Sequence, residues 1–247
     1  MRHTFRYAVT GALEAGGTVE LTPPDSHHLA RVVRRTTGDG IEVIDDTGRI
    51  WPATVDDLGP PVRARLAAAP RSGPPGLPVD LFLGILDWGR LDLVIEKCTE
   101  LGVDRIGLFT SERARRRVDQ EAFDRRLERM GRLADAAARQ SGRGTRPRLH
   151  GLVPFSAMVD EAEATQTFLV DAHGDDGLGE SLRGRSLPRA TIVVGPEAGF
   201  AVAELDRARA RGIAVCRLGE ATLRAETAAL VATTVAADAL GFLGGGG

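Results

Sequence analysis

Beyond residue 78 the chain alternates short apolar runs with helical patterns, and this alternation constrains the fold more than any other feature. Residues 79–86, 106–110, 168–170, 191–194 and 213–215 are almost continuous in Val, Ile, Leu and Phe. Strands of that texture are buried on both faces, the environment of a parallel sheet covered by helices. The patterns between them predict helices over about 92–101, 121–139, 203–211 and 224–240. Read from pattern alone this is an unknotted, doubly wound α/β domain, since true knots are almost absent from proteins.

The first third differs. Short β-rich runs at 5–9, 18–21, 41–44, 50–55 and 62–67 fit a small β-barrel. Asp45-Asp46-Thr47-Gly48 is a hairpin signal, because the glycine accepts a positive φ. One helix interrupts the strands, starting near Asp25 or Ser26, either of which can cap it, and running to Arg35. Its Leu29, Val32 and Val33 share a face expected to be buried, with Arg31, Arg34 and Arg35 outward. Prolines and glycines then crowd residues 70–78 and mark a boundary, dividing the chain into a barrel over 1–73 and an α/β domain over 74–247. The glycines at 244–247 read as a disordered tail.

Of the 247 residues 32 are basic and 34 acidic, a net charge of -2, yet residues 113–148 hold 12 arginines against five acids. A local basic segment in a mildly acidic chain suits an anionic partner such as a phosphate backbone, although a solvated helix face would look the same. Lys97 is the only lysine, so an arginine excess is partly a habit of this chain. No apolar run approaches the ~18 residues of a membrane helix, and the first residues lack a signal-peptide core, so a cytoplasmic protein is expected. Cys98 and Cys216 are too few for a disulfide framework or a zinc site. His27 and His28 diverge on a helix. Together with His3, His150 and His173 they read as structural or surface residues, and no metal is expected.

Two loops carry the chemistry. Ile192-Val193-Val194-Gly195-Pro196-Glu197-Ala198-Gly199-Phe200 is an apolar strand that ends in a loop a ligand can approach closely; it matches neither a dinucleotide fingerprint nor a P-loop, and an ordinary strand-to-helix turn fits it equally. The second, Arg217-Leu218-Gly219-Glu220-Ala221-Thr222-Leu223-Arg224-Ala225-Glu226-Thr227-Ala228, opens a helix whose first N–H groups are unpaired; Arg224 and Glu226 could form a surface pair there. A third strand end, at 169–174, could reach the same rim.

Taken together, Val194-Gly195-Pro196-Glu197-Ala198-Gly199-Phe200 and Leu218-Gly219-x-x-x-Leu223-Arg224-x-Glu226-Thr227-Ala228 resemble the RsmE-type family of small-subunit rRNA uridine-N3 methyltransferases. Lys97-Cys98-Thr99-Glu100-Leu101-Gly102-Val103 is similar to that family's K-x-T-E-L-G-V, and Arg139-Gln140-Ser141-Gly142-Arg143 followed by Pro147 to its E-Q-S-x-R…P. His27-His28-Leu29-x-x-Val32-x-Arg34 with Gly38-Asp39 agrees with its amino-terminal domain. The resemblance implies a PUA-like β-barrel that helps hold RNA, then a SPOUT-class α/β domain with a deep carboxy-terminal trefoil knot that binds S-adenosyl-L-methionine. It also implies a homodimer acting on 16S rRNA in the small ribosomal subunit, at uridine 1498 in RNA numbering.

Carried over residue by residue, the resemblance implies cofactor binding by Leu169, Gly195, Pro196, Glu197, Ala198, Gly199, Leu218, Gly219, Leu223, Arg224, Thr227 and Ala228. Arg224 is the candidate for stabilising charge on the uracil oxygens, and Glu197 either takes the N3 proton or anchors its loop. Arg31, Arg34, Arg35, Arg90, Arg139, Gln140, Ser141 and Arg143 are the RNA candidates. Ala198 stands where the family usually has glycine, Arg139 where it has Glu, and Leu86-Asp87-Trp88-Gly89-Arg90 where it has a lysine-bearing loop, for which Arg90 could compensate. Three rivals remain open: a non-catalytic RNA-binding protein, which would not need the two glycine loops; a methyltransferase of the same class acting on another RNA; and a small-molecule enzyme with a flavodoxin-like sheet, which would not need the barrel.

Overall fold

The computed structural model describes residues 5–11, 13–73, 76–114 and 118–243. The expectations for His3 and the 244–247 tail, and Arg115, Arg116 and Arg117 of the basic segment, lie outside the described residues. The chain divides into two compact units, Met1–Pro75 with Asp135–Arg146, and Gly76–Ala134 with Pro147–Gly247.

In the first unit, strands β1 (Arg6–Ala8), β2 (Thr18–Glu20), β3 (Gly40–Ile44), β4 (Arg49–Asp57) and β5 (Arg63–Leu66) form one sheet in the order β1-β3-β4-β5-β2, and β6 (Arg71–Ser72) pairs with β4. Alternate residues point inward, so Val19, Ile41, Val43, Trp51, Val55, Ala64 and Leu66 make one core. The β3–β4 hairpin turns at Gly48, at φ +79°. Asp45 beside it is buried and accepts hydrogen bonds from the Thr47 and Arg49 backbone N–H groups, the Thr47 hydroxyl and the Trp51 indole. Burial opposes its ionisation, but the hydrogen bonds from Thr47, Trp51 and Arg49 outweigh burial and hold its carboxyl below the usual carboxylate range.

The expected barrel helix starts earlier and ends differently. Helix α1 (Pro23–His27) is capped by the Thr22 hydroxyl, and buried Ser26 instead donates to the Leu21 carbonyl and accepts from the Val62 N–H. A π-helical turn over His28–Val32 follows, closed by the Val33 N–H on the His28 carbonyl at 2.9 Å. The extra residue in that turn rotates Val32 out of the expected buried face, leaving it 63% exposed while Leu29 is buried. Residues 70–78 are also more regular than expected. Arg71–Ser72 joins the sheet, and Pro78 sits inside the next strand where the register slips, the place a strand tolerates a missing N–H.

The second unit is a seven-stranded, wholly parallel sheet. Its strands are β7 (Leu77–Gly84), β8 (Val103–Thr110), β9 (Arg148–Pro154), β10 (Thr167–Val170), β11 (Asp176–Gly177), β12 (Ala190–Val194) and β13 (Ala214–Arg217), in the order β11-β13-β10-β12-β7-β8-β9. Its helices are α2 (Trp88–Leu101), α3 (Gln120–Ser141), α4 (Phe155–Glu161), α5 (Leu178–Leu182), α6 (Val202–Ala210) and α7 (Ala225–Ala239). The end of α3 belongs to the first unit. Strand β9, helices α4 and α5 and the short β11 were not expected from the pattern, since 148–154 is broken by polar residues and glycine.

Both faces of the sheet are covered, as its apolar strands require. On one face α7 packs on α2, α5, β7 and β12, and its Ala225, Ala228, Ala229, Ala232 and Ala236 bring the helix backbone close to the strands. On the other, α4 and α6 cover Phe109, Leu169, Val193, Phe200 and Val215. The Lys97-to-Val103 motif is local architecture. Thr99 is buried and donates to the Ile95 carbonyl, and Gly102, at φ +97°, ends α2 so that β8 can begin at Val103.

Candidate active site

The carboxyl ends of β10, β12 and β13 lie side by side, and the loops leaving them enclose a cleft of about 650 Å3. In open α/β sheets this edge is where ligands bind. The loop after β12 supplies Gly195 to Gly199, the loop after β13 supplies Leu218 to Arg224, and the loop after β10 supplies Asp171 to His173. Helix α7 adds Ala225 and Ala228, and α2 adds Arg90.

Close backbone approach builds this cleft. A Cβ on Gly84, the last residue of β7, would lie 2.5 Å from the Pro196 nitrogen, and one on Gly174 would lie 2.2 Å from the Cys216 carbonyl carbon. Gly199 takes φ +69° to close the turn begun at Pro196, its N–H reaching the Pro196 carbonyl at 2.8 Å. Arg217 Nη1 ties its own loop to the Asp175 carbonyl at 2.6 Å. Buried Glu204, in the first turn of α6, accepts from the Ser111 hydroxyl, the Glu112 N–H and the Ala201 N–H, fixing the loop after β8 beside the cleft.

Glu197 Oε1 accepts the Asp87 N–H at 3.0 Å and stands 3.7 Å from Arg90 Nη1. Its carboxylate therefore anchors the β12 loop to the start of α2. Arg224 is the N-cap residue of α7, exposed on the cleft wall, and its guanidinium has no hydrogen-bond or ion-pair partner among the described residues. The surface pair with Glu226 does not form; Glu226 turns inward, 9% exposed, with Oε1 3.8 Å from Arg90 Nε. The first N–H groups of α7 have no helical partner, which favours negative charge at this end.

Of the residues expected to hold a cofactor, Gly195, Pro196, Glu197, Ala198, Gly199, Leu218, Gly219, Leu223, Arg224 and Ala228 line the cleft. Leu169 does not: strand alternation turns it into the core on the opposite face, and its neighbours Val170 and Asp171 form the wall. Thr227 is likewise exposed outside the cleft lining, one helical step from Ala228. Asp171, Arg113 and His173 line the cleft as well. Asp171 was legible as the polar residue that ends an apolar strand, whereas Arg113 was counted only within the basic segment and His173 only as a surface residue.

The other candidates lie in the first unit, apart from Arg90. Arg31 and Arg34 are exposed, Arg34 in the left-handed conformation at φ +55°, and Arg35 stacks over Phe5 at 5.3 Å. Arg139 and Gln140 are exposed at the end of α3, and the Ser141 hydroxyl donates back to the Ala137 carbonyl. Arg139, Arg143 and Arg146 line a second cleft of about 540 Å3 that also bears Asp25, Asp45, Asp46 and Asp135.

A parallel sheet with a cleft of three strand-end loops and a helix amino terminus, joined to a small β-rich unit, defines a SPOUT-class RNA methyltransferase with a PUA domain. Residues 74–237 match the family model of the RNA methyltransferase domain, and residues 21–60 that of the RNA methyltransferase PUA domain. The chain is 32% identical to ribosomal RNA small subunit methyltransferase E of Synechocystis over 92% of its own length and 75% of the relative's. A Neisseria gonorrhoeae ribosomal RNA small subunit methyltransferase E bound to S-adenosyl methionine superposes with a TM-score of 0.75 at 25% identity, covering 96% of this chain and 98% of that one. A methyltransferase of Legionella pneumophila in complex with SAM superposes with a TM-score of 0.77, at the same identity and coverage. The chain belongs to the ribosomal RNA small subunit methyltransferase E (RsmE) family.

Proposed function

We propose that this protein transfers the methyl group of S-adenosylmethionine to N3 of one uridine of 16S rRNA in the small subunit. The observation that carries the reading is Arg224, an unpartnered guanidinium on the wall of a cleft that is otherwise backbone loops and apolar side chains. The residues present fit the cofactor. The volume suits a nucleoside-sized ligand; Val194, Leu218, Leu223 and Ala228 offer an apolar wall, while the glycine loops expose N–H and C=O groups. Asp171 and Glu197 supply negative charge suited to an ammonium or sulfonium.

S-adenosylmethionine, when bound, supplies an electrophilic methyl group that the N3 lone pair can take as the carbon–sulfur bond breaks. The protein's own residues prepare the base for that step. Arg224 hydrogen-bonds a uracil oxygen, stabilises the anion left when the N3 proton departs to solvent, and costs no reorganisation because its charge is permanent. Glu197 is held by Asp87 and Arg90, so it keeps the cofactor loop in place rather than taking the proton.

We assign residues 1–73 to RNA holding and 74–247 to cofactor binding and catalysis. Arg31, Arg34, Arg35, Arg139, Gln140, Ser141 and Arg143 serve as phosphate or base contacts in the first unit. Reaching N3 needs an unpaired or flipped uridine. A trefoil knot in the second unit is supported by the strand order. Later strands flank β10 on both sides, and α7 returns from β13 across β12 and β7. Exposed Val202, Leu223, Val231 and Phe242 support a homodimer. An rRNA substrate implies work in the cytoplasm.

The test is transfer of labelled methyl to small subunits from cells lacking the gene, followed by nucleoside analysis. The expected product is 3-methyluridine at one site, with Arg224→Ala reducing turnover about 100- to 1000-fold while retaining the fold. A methylated base other than uridine, or full turnover by the Arg224 variant, would overturn the reading.

A further inference from the structure

Arg90 stands in the cleft between carboxylates that belong to opposite walls. Its Nη1 is 3.7 Å from Glu197 Oε1, on the β12 loop, and its Nε is 3.8 Å from Glu226 Oε1, in the first turn of α7. Glu226 is two residues beyond Arg224 in the chain, so the contact reaches the segment that carries the catalytic guanidinium. The α2 turn bearing Arg90 is itself fixed: Arg126 Nη2 donates to the Trp88 carbonyl at 2.8 Å and the Arg126 guanidinium stacks over the Trp88 ring. Glu197 also takes the Asp87 N–H from the same turn.

Glu226 carries a second observation. Its Oε2 is buried with no hydrogen-bond partner, so the carboxylate relies on Arg90 and the α7 amino terminus for compensation. A buried acid held so sparingly is costly in a turn that stability alone would fill with an apolar residue.

We propose that Arg90 is a positioning residue of the transferase. Its planar fork couples the Gly195–Gly199 loop to the start of α7 through Glu197 and Glu226, and so sets the distance between the cofactor loop and Arg224. The inference rests on the methyltransferase reading of the cleft. It assigns Arg90 a task different from the phosphate contact expected from sequence. Both contacts use separate nitrogens of one guanidinium, which a lysine with its single nitrogen does not reproduce.

The experiment compares wild type with Arg90→Ala, Arg90→Lys, Glu226→Gln and the Arg90→Ala/Glu226→Gln double variant. It reads S-adenosylmethionine binding by calorimetry without RNA, kcat and KM with small subunits, and the melting curve as a check of folding. Arg90→Ala is expected to lower kcat about 10- to 100-fold with little change in KM for RNA, because misplacement of about 1 Å carries a penalty of that order. Lysine is expected to fail to restore kcat, and the double variant to be no worse than the poorer single one. Rescue by lysine, additive losses, or a defect confined to KM for RNA with a lower salt dependence would overturn the proposal. A wild-type chain that binds no S-adenosylmethionine would instead sink the methyltransferase reading itself, and the proposal with it.

Discussion

Replacing Gly84 by Ala tests how the cleft is built. The added methyl would lie 2.5 Å from the Pro196 nitrogen, 2.6 Å from its Cδ and 3.0 Å from the Gly195 carbonyl carbon. These atoms are backbone or proline ring, so no flexible side chain can swing away. Ordinary carbon contacts begin near ~3.5 Å, so the β12 loop must retreat from β7 by about 1 Å. Overpacking of this kind costs about 1–3 kcal/mol, which lowers Tm by about 2–12 °C for a chain of this size if ~1 kcal/mol moves it 2–4 °C. The same retreat carries Gly195 to Gly199 out of place, and S-adenosylmethionine affinity should fall about 10- to 100-fold. Gly151→Ala is the control, since Gly151 is exposed on β9 and nothing lies within 4 Å of its added methyl. Scanning calorimetry and titration calorimetry read the two effects. A Gly84 variant that melts and binds like the Gly151 variant would refute the claim that backbone contact between β7 and the β12 loop shapes the site.

Three further outcomes are expected. Asp45 has a folded-state pKa below its unfolded value, so the stability it lends is present above about pH 4 and lost as pH falls below that; Asp45→Asn should cost about 2 kcal/mol at pH 7 and less in acid, and a gap in urea midpoints that stays constant down to pH 3 would contradict this. Cys98 is buried, and burial pushes its thiol up to about 12, so it should resist iodoacetamide at pH 8 in the folded protein and react only after denaturant is added. RNA affinity should fall with salt, and Arg139→Ala should reduce the slope of log K against log salt by about one; an unchanged slope would remove Arg139 from the phosphate contacts.

Much of the molecule was legible before any coordinates. Strand texture alone indicated a covered parallel sheet, because Val193 and Ile192 must each find an apolar face whichever way they point. The glycine loops were legible too, since a strand that stops at Gly195-Pro196 or Leu218-Gly219 leaves backbone exposed. The barrel helix was misread at Val32 because a π-helical turn leaves no mark in a periodicity of 3.6. Leu169 was misplaced because a motif names a strand end without saying which residue faces the ligand.

The sequence by itself determined the two-part organisation, the element types of the sheet, and the residue identities that place the chain in its family, because these depend on local propensity and side-chain chemistry. Only the tertiary structure decided which charges meet. Arg224 and Glu226 are two residues apart, yet one faces the cleft and the other turns inward to Arg90, which is more than a hundred residues distant in the chain. Pairing of that kind depends on how β7, β12 and α7 pack, and packing is a property of the whole core that no local window contains.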